Sequence, residues 1–211
     1  CLSRLYRCDT GTIHFDGQVL SDQPRHRIAA LGVGRTFQNL ALFSTMTVRE
    51  NVLIGTHAHH HAGFLSDVLR LPGAARAERT ARERAERAIE LLRLQPFVDR
   101  TVADLPFGTQ KKVELARALA CEPSLLLLDE PACGLNHEEL SGLGELILEI
   151  RRNLNLTILL VEHHMGLVMS VCDRIVALNF GRKIADGSPA SIRSDPEVIR
   201  AYLGDEQGAT A

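Results

Sequence analysis

The chain has 211 residues, 45% of them hydrophobic and 24% charged, with 24 Lys and Arg against 26 Asp and Glu for a formal net charge of −2. That length carries one domain with a substantial core, or a domain with a subdomain inserted in it. The charge balance gives no basic excess for nucleic acid, and no apolar run approaches the length of a bilayer, so a membrane role must come from docking to a partner.

Leu2, Leu5 and Tyr6 form a short apolar face that reads as the end of a helix, so the chain is expected to be a fragment that begins inside an element. From Gly11 to Leu20 the pattern alternates, with Ile13 and Phe15 on one face and Asp16-Gly17 as a two-residue hairpin signal. Arg25 to Ala30 reads as a short helix, and Gly32 to Phe37 as a strand that delivers Gln38 at its end. Leu40 to Met46 is an apolar loop, and Thr47-Val48-Arg49-Glu50 is a capping box that opens a helix toward Ile54.

His57, His59, His60 and His61 are near neighbours, and imidazole is a good metal ligand. With no Cys or acidic residue among them, a solvated loop is the stronger reading, because tetrahedral sites draw ligands from separate elements. Ala74 to Leu94 is a charged helix with Glu78/Arg82, Arg79/Glu83, Arg82/Glu86 and Glu83/Arg87 at i,i+4, and with Ala88, Leu91 and Leu92 turned inward.

Asp104 to Glu139 is the most informative stretch. Pro106 and Gly108 break the backbone ahead of a helix from Thr109 to Ala120, in which Val113, Ala116, Leu119 and Ala120 recur at helical spacing. A helix N-terminus behind a glycine favours an anion, since its unpaired amides point outward and its dipole is positive there. Glu122-Pro123 ends the helix, and Leu125 to Leu128 reads as a parallel strand buried on both faces, with Asp129 and Glu130 where it emerges. Leu140 to Asn153 is an amphipathic helix. Leu156 to Val161 reads as a second buried strand, and it ends in Glu162-His163-His164. His163 therefore stands at the edge where open α/β sheets bind ligands, or else caps the next helix. Met165 to Val171 reads as helix, Arg174 to Asn179 as strand, and two short helices close the chain near Leu203.

Together these residues resemble an ATP-binding-cassette (ABC) ATPase. Leu105, Pro106, Phe107, Gly108, Thr109 and Gln110 stand where the family carries its signature loop, Leu125 to Asp129 resembles the Walker B strand, and Glu130 the catalytic carboxylate. Gly134, Leu135 and Asn136 resemble the D-loop, Arg35 to Gln38 the Q-loop, and His163 the switch histidine. The resemblance implies a P-loop NTPase core of the α/β class with a mainly parallel sheet plus an inserted helical subdomain. Residues 1–211 would form one domain, with core parts at 1–39 and 121–187, a helical subdomain at 40–120, and C-terminal helices and tail at 188–211. It also implies ATP and Mg²⁺ as ligands, Asp129 and Gln38 near the metal, and Glu130, Gln38 and His163 around the γ-phosphate.

Arg35 to Asn39, Glu130 to Asn136, Glu162 to Met169 and Val198 to Gly204 are similar to the ATP-binding subunits of branched-chain amino acid importers. That likeness implies a second cassette and transmembrane permease subunits as partners, no nucleic acid, and a peripheral location at the cytoplasmic face of the membrane. A groove near Leu40, Leu42 and Phe43 is expected to receive a short helix of the permease. Two departures stand out. Pro106 replaces the signature serine, and no G-x-x-x-x-G-K-[ST] phosphate loop occurs in the sequence, so the residues given should bind ATP poorly. A non-catalytic docking module is the rival reading. A cassette for DNA repair or translation fits less well, for want of a basic patch, a coiled-coil insertion or a second cassette.

Overall fold

The computed structural model describes residues 1–36, 40–59 and 72–203. Three parallel strands, β3 (Val33–Arg35), β4 (Leu125–Asp129) and β5 (Thr157–Val161), form the central sheet in that spatial order. They are preceded by a small hairpin, β1 (His14–Phe15) with β2 (Gln18–Val19), and followed by a second, β6 (Ile175–Asn179) with β7 (Arg182–Gly187). Register pairs Gly34 with Leu126, Leu127 with Leu159, and Asp129 with Val161, so β4 and β5 end level with each other. Parallel neighbours need a crossover. The first runs through helices α1 (Val48–Gly55), α2 (Pro72–Leu91) and α3 (Phe107–Leu119), and the second through α4 (His137–Leu154).

The first hairpin turns where its composition says it should. Asp16 and Gly17 take φ of 48° and 73°, the paired left-handed geometry that matches strand twist. The capping box at α1 is complete: the Glu50 N–H donates to Thr47 Oγ1 at 3.2 Å, and the Thr47 N–H donates to Glu50 Oε2 at 2.8 Å. A second one opens α4, where Asn136 and Glu139 exchange the same pair of bonds at 3.0 Å each. The helix therefore begins at His137, three residues ahead of the apolar periodicity.

The main core joins α1, α2, α3, α4 and β4. Val48, Val52, Ile89, Leu92, Val113, Ala116, Leu126 and Ile150 are all essentially inaccessible. The apolar stripe of α3 faces inward as its spacing requires, and the same helix buries Glu114. Burial holds the Arg117 guanidinium below its ordinary value, opposed by the nearby Glu114 carboxylate.

Three expectations need correction. Residues 2–6 form turns and bends rather than a helix end, because Arg4 sits at φ 57°, which a right-handed helix cannot continue. Leu2 still packs on the cluster of Leu20, Ile28, Val33 and Leu127, while Tyr6 is exposed. Strand β5 is not buried on both faces: Leu159 is 44% and Val161 55% exposed, while Ile158 and Leu160 on its other side pack against the main core. On α2 the charges reach across elements more than along the helix. Glu78 pairs with Arg82, but Glu86 turns to Arg49, and Arg84 and Arg87 both bind Glu122.

Candidate active site

At the carboxyl edge of the sheet, the ends of β4 and β5 carry Asp129, Glu130, Glu162 and His163. The ladder continues one step past the strands, the Glu130 N–H donating to the Val161 carbonyl at 2.9 Å. Glu130 then takes φ 46°, a left-handed value that costs a non-glycine residue on the order of 1–2 kcal/mol. The Cys133 N–H closes the turn on the Glu130 carbonyl at 3.1 Å. A strained acidic residue where a buried strand meets a loop is a common feature of active sites.

Asp129 binds the Arg35 guanidinium through Oδ2 at 3.1 Å, and Arg35 also donates to Ser3 Oγ at 2.7 Å. His163 is 70% exposed, with Nδ1 3.9 Å from Glu130 Oε1 and 3.9 Å from Glu162 Oε2, beyond hydrogen-bond range but within ionic reach. The structure thus brings Glu130 and His163 near each other from two strands, with Asp129 one residue before Glu130 and paired to Arg35. Gln38 lies outside the described residues, as do His60 and His61 of the histidine run.

His163 does not cap the next helix, α5 (Met165–Val171). Its N-cap is His164, which makes no side-chain cap bond. Glu162, whose side chain is wholly buried, ties down the residues ahead of that helix instead: its Oε2 takes the N–H groups of His163 and His164 at 3.0 and 3.2 Å, and its Oε1 takes the Ala132 N–H at 2.8 Å. Glu162 escaped the sequence reading because a polar residue after a strand looks like loop. Its signal is an acidic side chain three residues before a helix whose N-cap, His164, makes no side-chain bond.

The segment Leu105 to Gln110 opens α3. Leu105 is buried and anchors it, and the Gln110 Nε2 donates back to the Leu105 carbonyl at 2.9 Å. Pro106 is the N-cap at φ −55° and ψ 149°, and its carbonyl accepts the N–H groups of Thr109 and Gln110 at 2.9 and 3.0 Å. Proline's fixed φ suits a helix entry, and its missing N–H would have been unpaired there in any case. The segment touches the turn after β4. A Cβ on Gly134, at φ +80°, would come within 2.8 Å of the Phe107 ring, and one on Gly108 within 2.5 Å of Glu139 Oε1. Two glycines thus let Phe107–Gly108 and Gly134–Glu139 pack directly together. Lys111 lies 5.6 Å from the centroid of the half-exposed Phe107 ring.

Asn51, fully buried on α1, shapes the loop before it. It accepts the Phe43 N–H at 2.9 Å and donates to the carbonyls of Phe43 and Thr47 at 3.0 Å each. With Arg117 reaching the Ala41 carbonyl at 2.5 Å, the loop is held so that Phe43 stays half exposed.

A hard divalent cation suits this edge chemically, since Mg²⁺ is held by one or two carboxylates together with phosphate oxygens and water. Asp129 binds Arg35 through Oδ2, and Glu130 adds a second carboxylate. Among the described residues no group of three or more His, Cys, Asp or Glu gathers as a protein-only metal site would need, and no helix is long and apolar enough to cross a membrane.

These features define a nucleotide-binding cassette, and the chain belongs to the ABC transporter family: that family matches residues 1–133, and the branched-chain amino acid ATP-binding cassette transporter family matches residues 182–207. It is 44% identical over 205 residues to the high-affinity branched-chain amino acid transport ATP-binding protein BraF of Pseudomonas aeruginosa, covering 97% of this chain and 80% of that protein. The same identity and coverage hold for LivG of Escherichia coli, which carries the same description. In three dimensions it matches the ADP conformation of MJ1267, an ATP-binding cassette of an ABC transporter. The TM-score is 0.77 at 28% identity, over 94% of this chain and 79% of that one.

Proposed function

We propose that this chain is the ATP-binding and ATP-hydrolysing subunit of an ABC importer for branched-chain amino acids. The observation that carries the chemistry is that the level ends of β4 and β5 bring Glu130, next to Asp129, within 3.9 Å of His163. The cargo rests on the 44% identical relatives and on the family match at residues 182–207.

In this reading two cassettes close face to face, at the cytoplasmic side of the membrane, on a pair of permease subunits. Each ATP lies between the phosphate loop of one cassette and the Leu105 to Gln110 segment of the other. That phosphate loop is not supplied by these residues, whose sequence contains no such motif. The amides of the first turn of α3, with the dipole behind them, face the γ-phosphate, and Pro106 leaves them without a hydroxyl to help. Asp129, with Gln38, would hold Mg²⁺, which would supply positive charge to offset that of the phosphates. Glu130 accepts a hydrogen bond from the attacking water and turns its lone pair toward phosphorus. His163, with Nδ1 3.9 Å from Glu130 Oε1, donates to the γ-phosphate oxygen on which charge grows. The strained turn holds the Glu130 carboxylate ready, so little reorganisation remains at the moment of reaction. The loop that exposes Phe43 receives a permease helix and passes closure to the membrane.

The test is ATP turnover by the full-length subunit assembled with its permease. Glu130→Gln should abolish turnover while leaving nucleotide-driven closure intact. Hydrolysis at an unchanged rate sinks the role of Glu130, and no turnover in the unsubstituted assembly favours a docking module.

A further inference from the structure

Glu162 has a position that strand capping alone does not require. Burying a carboxylate is costly unless its charge is met by donors, and here both oxygens are met, by three backbone N–H groups from two separate loops. One of those loops follows β4 and carries Glu130 two residues before Ala132. The other follows β5 and carries His163. Two hydrogen bonds tie the loops together in this turn: the Glu130 N–H to the Val161 carbonyl, and the Ala132 N–H to Glu162 Oε1. The first fixes the backbone of Glu130, and the second fixes the far side of the same turn.

We infer that Glu162 is a positioning residue for hydrolysis, setting the separation of Glu130 and His163 by bridging the two loops. The inference rests on the ATPase reading above. Side-chain length matters to it: aspartate is one methylene shorter and cannot hold both loops from the same backbone. Charge matters as well, because glutamine offers one acceptor oxygen and turns an N–H₂ toward one set of donors. An apolar residue would leave three buried N–H groups without an acceptor.

The experiment uses the full-length subunit in its transporter and compares the unsubstituted protein, Glu162→Ala, Glu162→Gln, His163→Ala and the Glu162→Ala/His163→Ala double variant. Read out are kcat and KM for ATP, with Tm as a check on folding. Misplacing reacting groups by an ångström can cost 100-fold, so Glu162→Ala should lower kcat by about 10- to 100-fold. KM should stay within about twofold, since binding in the ground state is untouched. Glu162→Gln, which keeps one arm, should fall between. If Glu162 acts through His163, the double variant turns over no more slowly than His163→Ala, because residues that work as a unit are not additive. Losses in kcat that multiply, or a kcat held within about twofold in both Glu162 variants, overturn the inference while leaving the ATPase reading standing. Should Glu162→Ala fail to fold, Glu162→Gln carries the same comparison with His163→Ala. An unsubstituted assembly that does not hydrolyse ATP overturns the ATPase reading and this inference with it.

Discussion

Strands β4 and β5 are adjacent, parallel, equally long and similarly apolar, yet they live in different surroundings. Leu126 and Leu128 of β4 are 0% and 2% exposed, whereas Leu159 and Val161 of β5 are 44% and 55% exposed. β4 is flanked by a strand on each side and by the helical core, and β5 closes one edge of the sheet among the described residues. A run of Leu, Ile and Val thus specifies a strand but not how many of its faces are covered. What the two strands share is their end: both deliver polar residues to one edge, and there the register of Asp129 with Val161 keeps the two loops level.

The contrast should show most strongly in stability. Leu126→Ala removes a fully buried side chain from β4 and should cost about 2–5 kcal/mol in chemical denaturation, as core Leu truncations do. Leu159→Thr on the open face of β5 should stay within about 0.5 kcal/mol, as surface changes do. Equal losses at both sites would mean that β5 is covered in the working protein. The link between the strands gives a smaller effect. Asn136→Ala removes the cap of α4, the helix that crosses from β4 to β5, and should lower stability by about 1 kcal/mol. No change in Tm would show that packing alone sets where α4 begins.

The smallest effect belongs to the second hairpin, whose outward apolar residues Val176 and Leu178 repeat the β5 pattern. There hydrogen bonds from Arg174, and then from Lys183, hold the Asp186 carboxyl at about 2, against an ordinary 3.8. A depressed folded value means that this clasp stabilises the fold above about pH 4 and is lost as pH falls toward 2. Asp186→Asn should therefore flatten stability against pH in that window and lower neutral stability by the same amount, a small one because the group is exposed. An acid limb identical to that of the unsubstituted protein would show that the clasp forms equally in the unfolded chain.

Much of the fold was legible because its signals are local. Asp16-Gly17 makes its turn through backbone preference at two residues, and Thr47 with Glu50 completes a cap within four. The inward stripe of α3 follows from the geometry of one helix. Even the second capping box, Asn136 with Glu139, was written in the sequence and masked only by the functional reading of Asn136. The expected i,i+4 ladder on α2 was the opposite case. Spacing permits such pairs, but Glu86 and Arg87 found partners on other elements, and no local pattern shows a charge 35 or 37 residues away.

The sequence by itself determined the order of elements, the family, and the residues with the right chemistry at strand ends: Asp129, Glu130 and His163. Those depend on residue type and short spacing, which the chain carries wherever it folds. Only the tertiary structure decided which groups meet. It set Asp129 against Arg35, packed Phe107 on Gly134, left one face of β5 open, and drew Glu162 inward to tie two loops whose bonded residues lie 30 positions apart. The physical reason is that a buried polar group is satisfied by whatever donor or acceptor the packing brings within about 3 Å, and sequence distance does not enter that geometry.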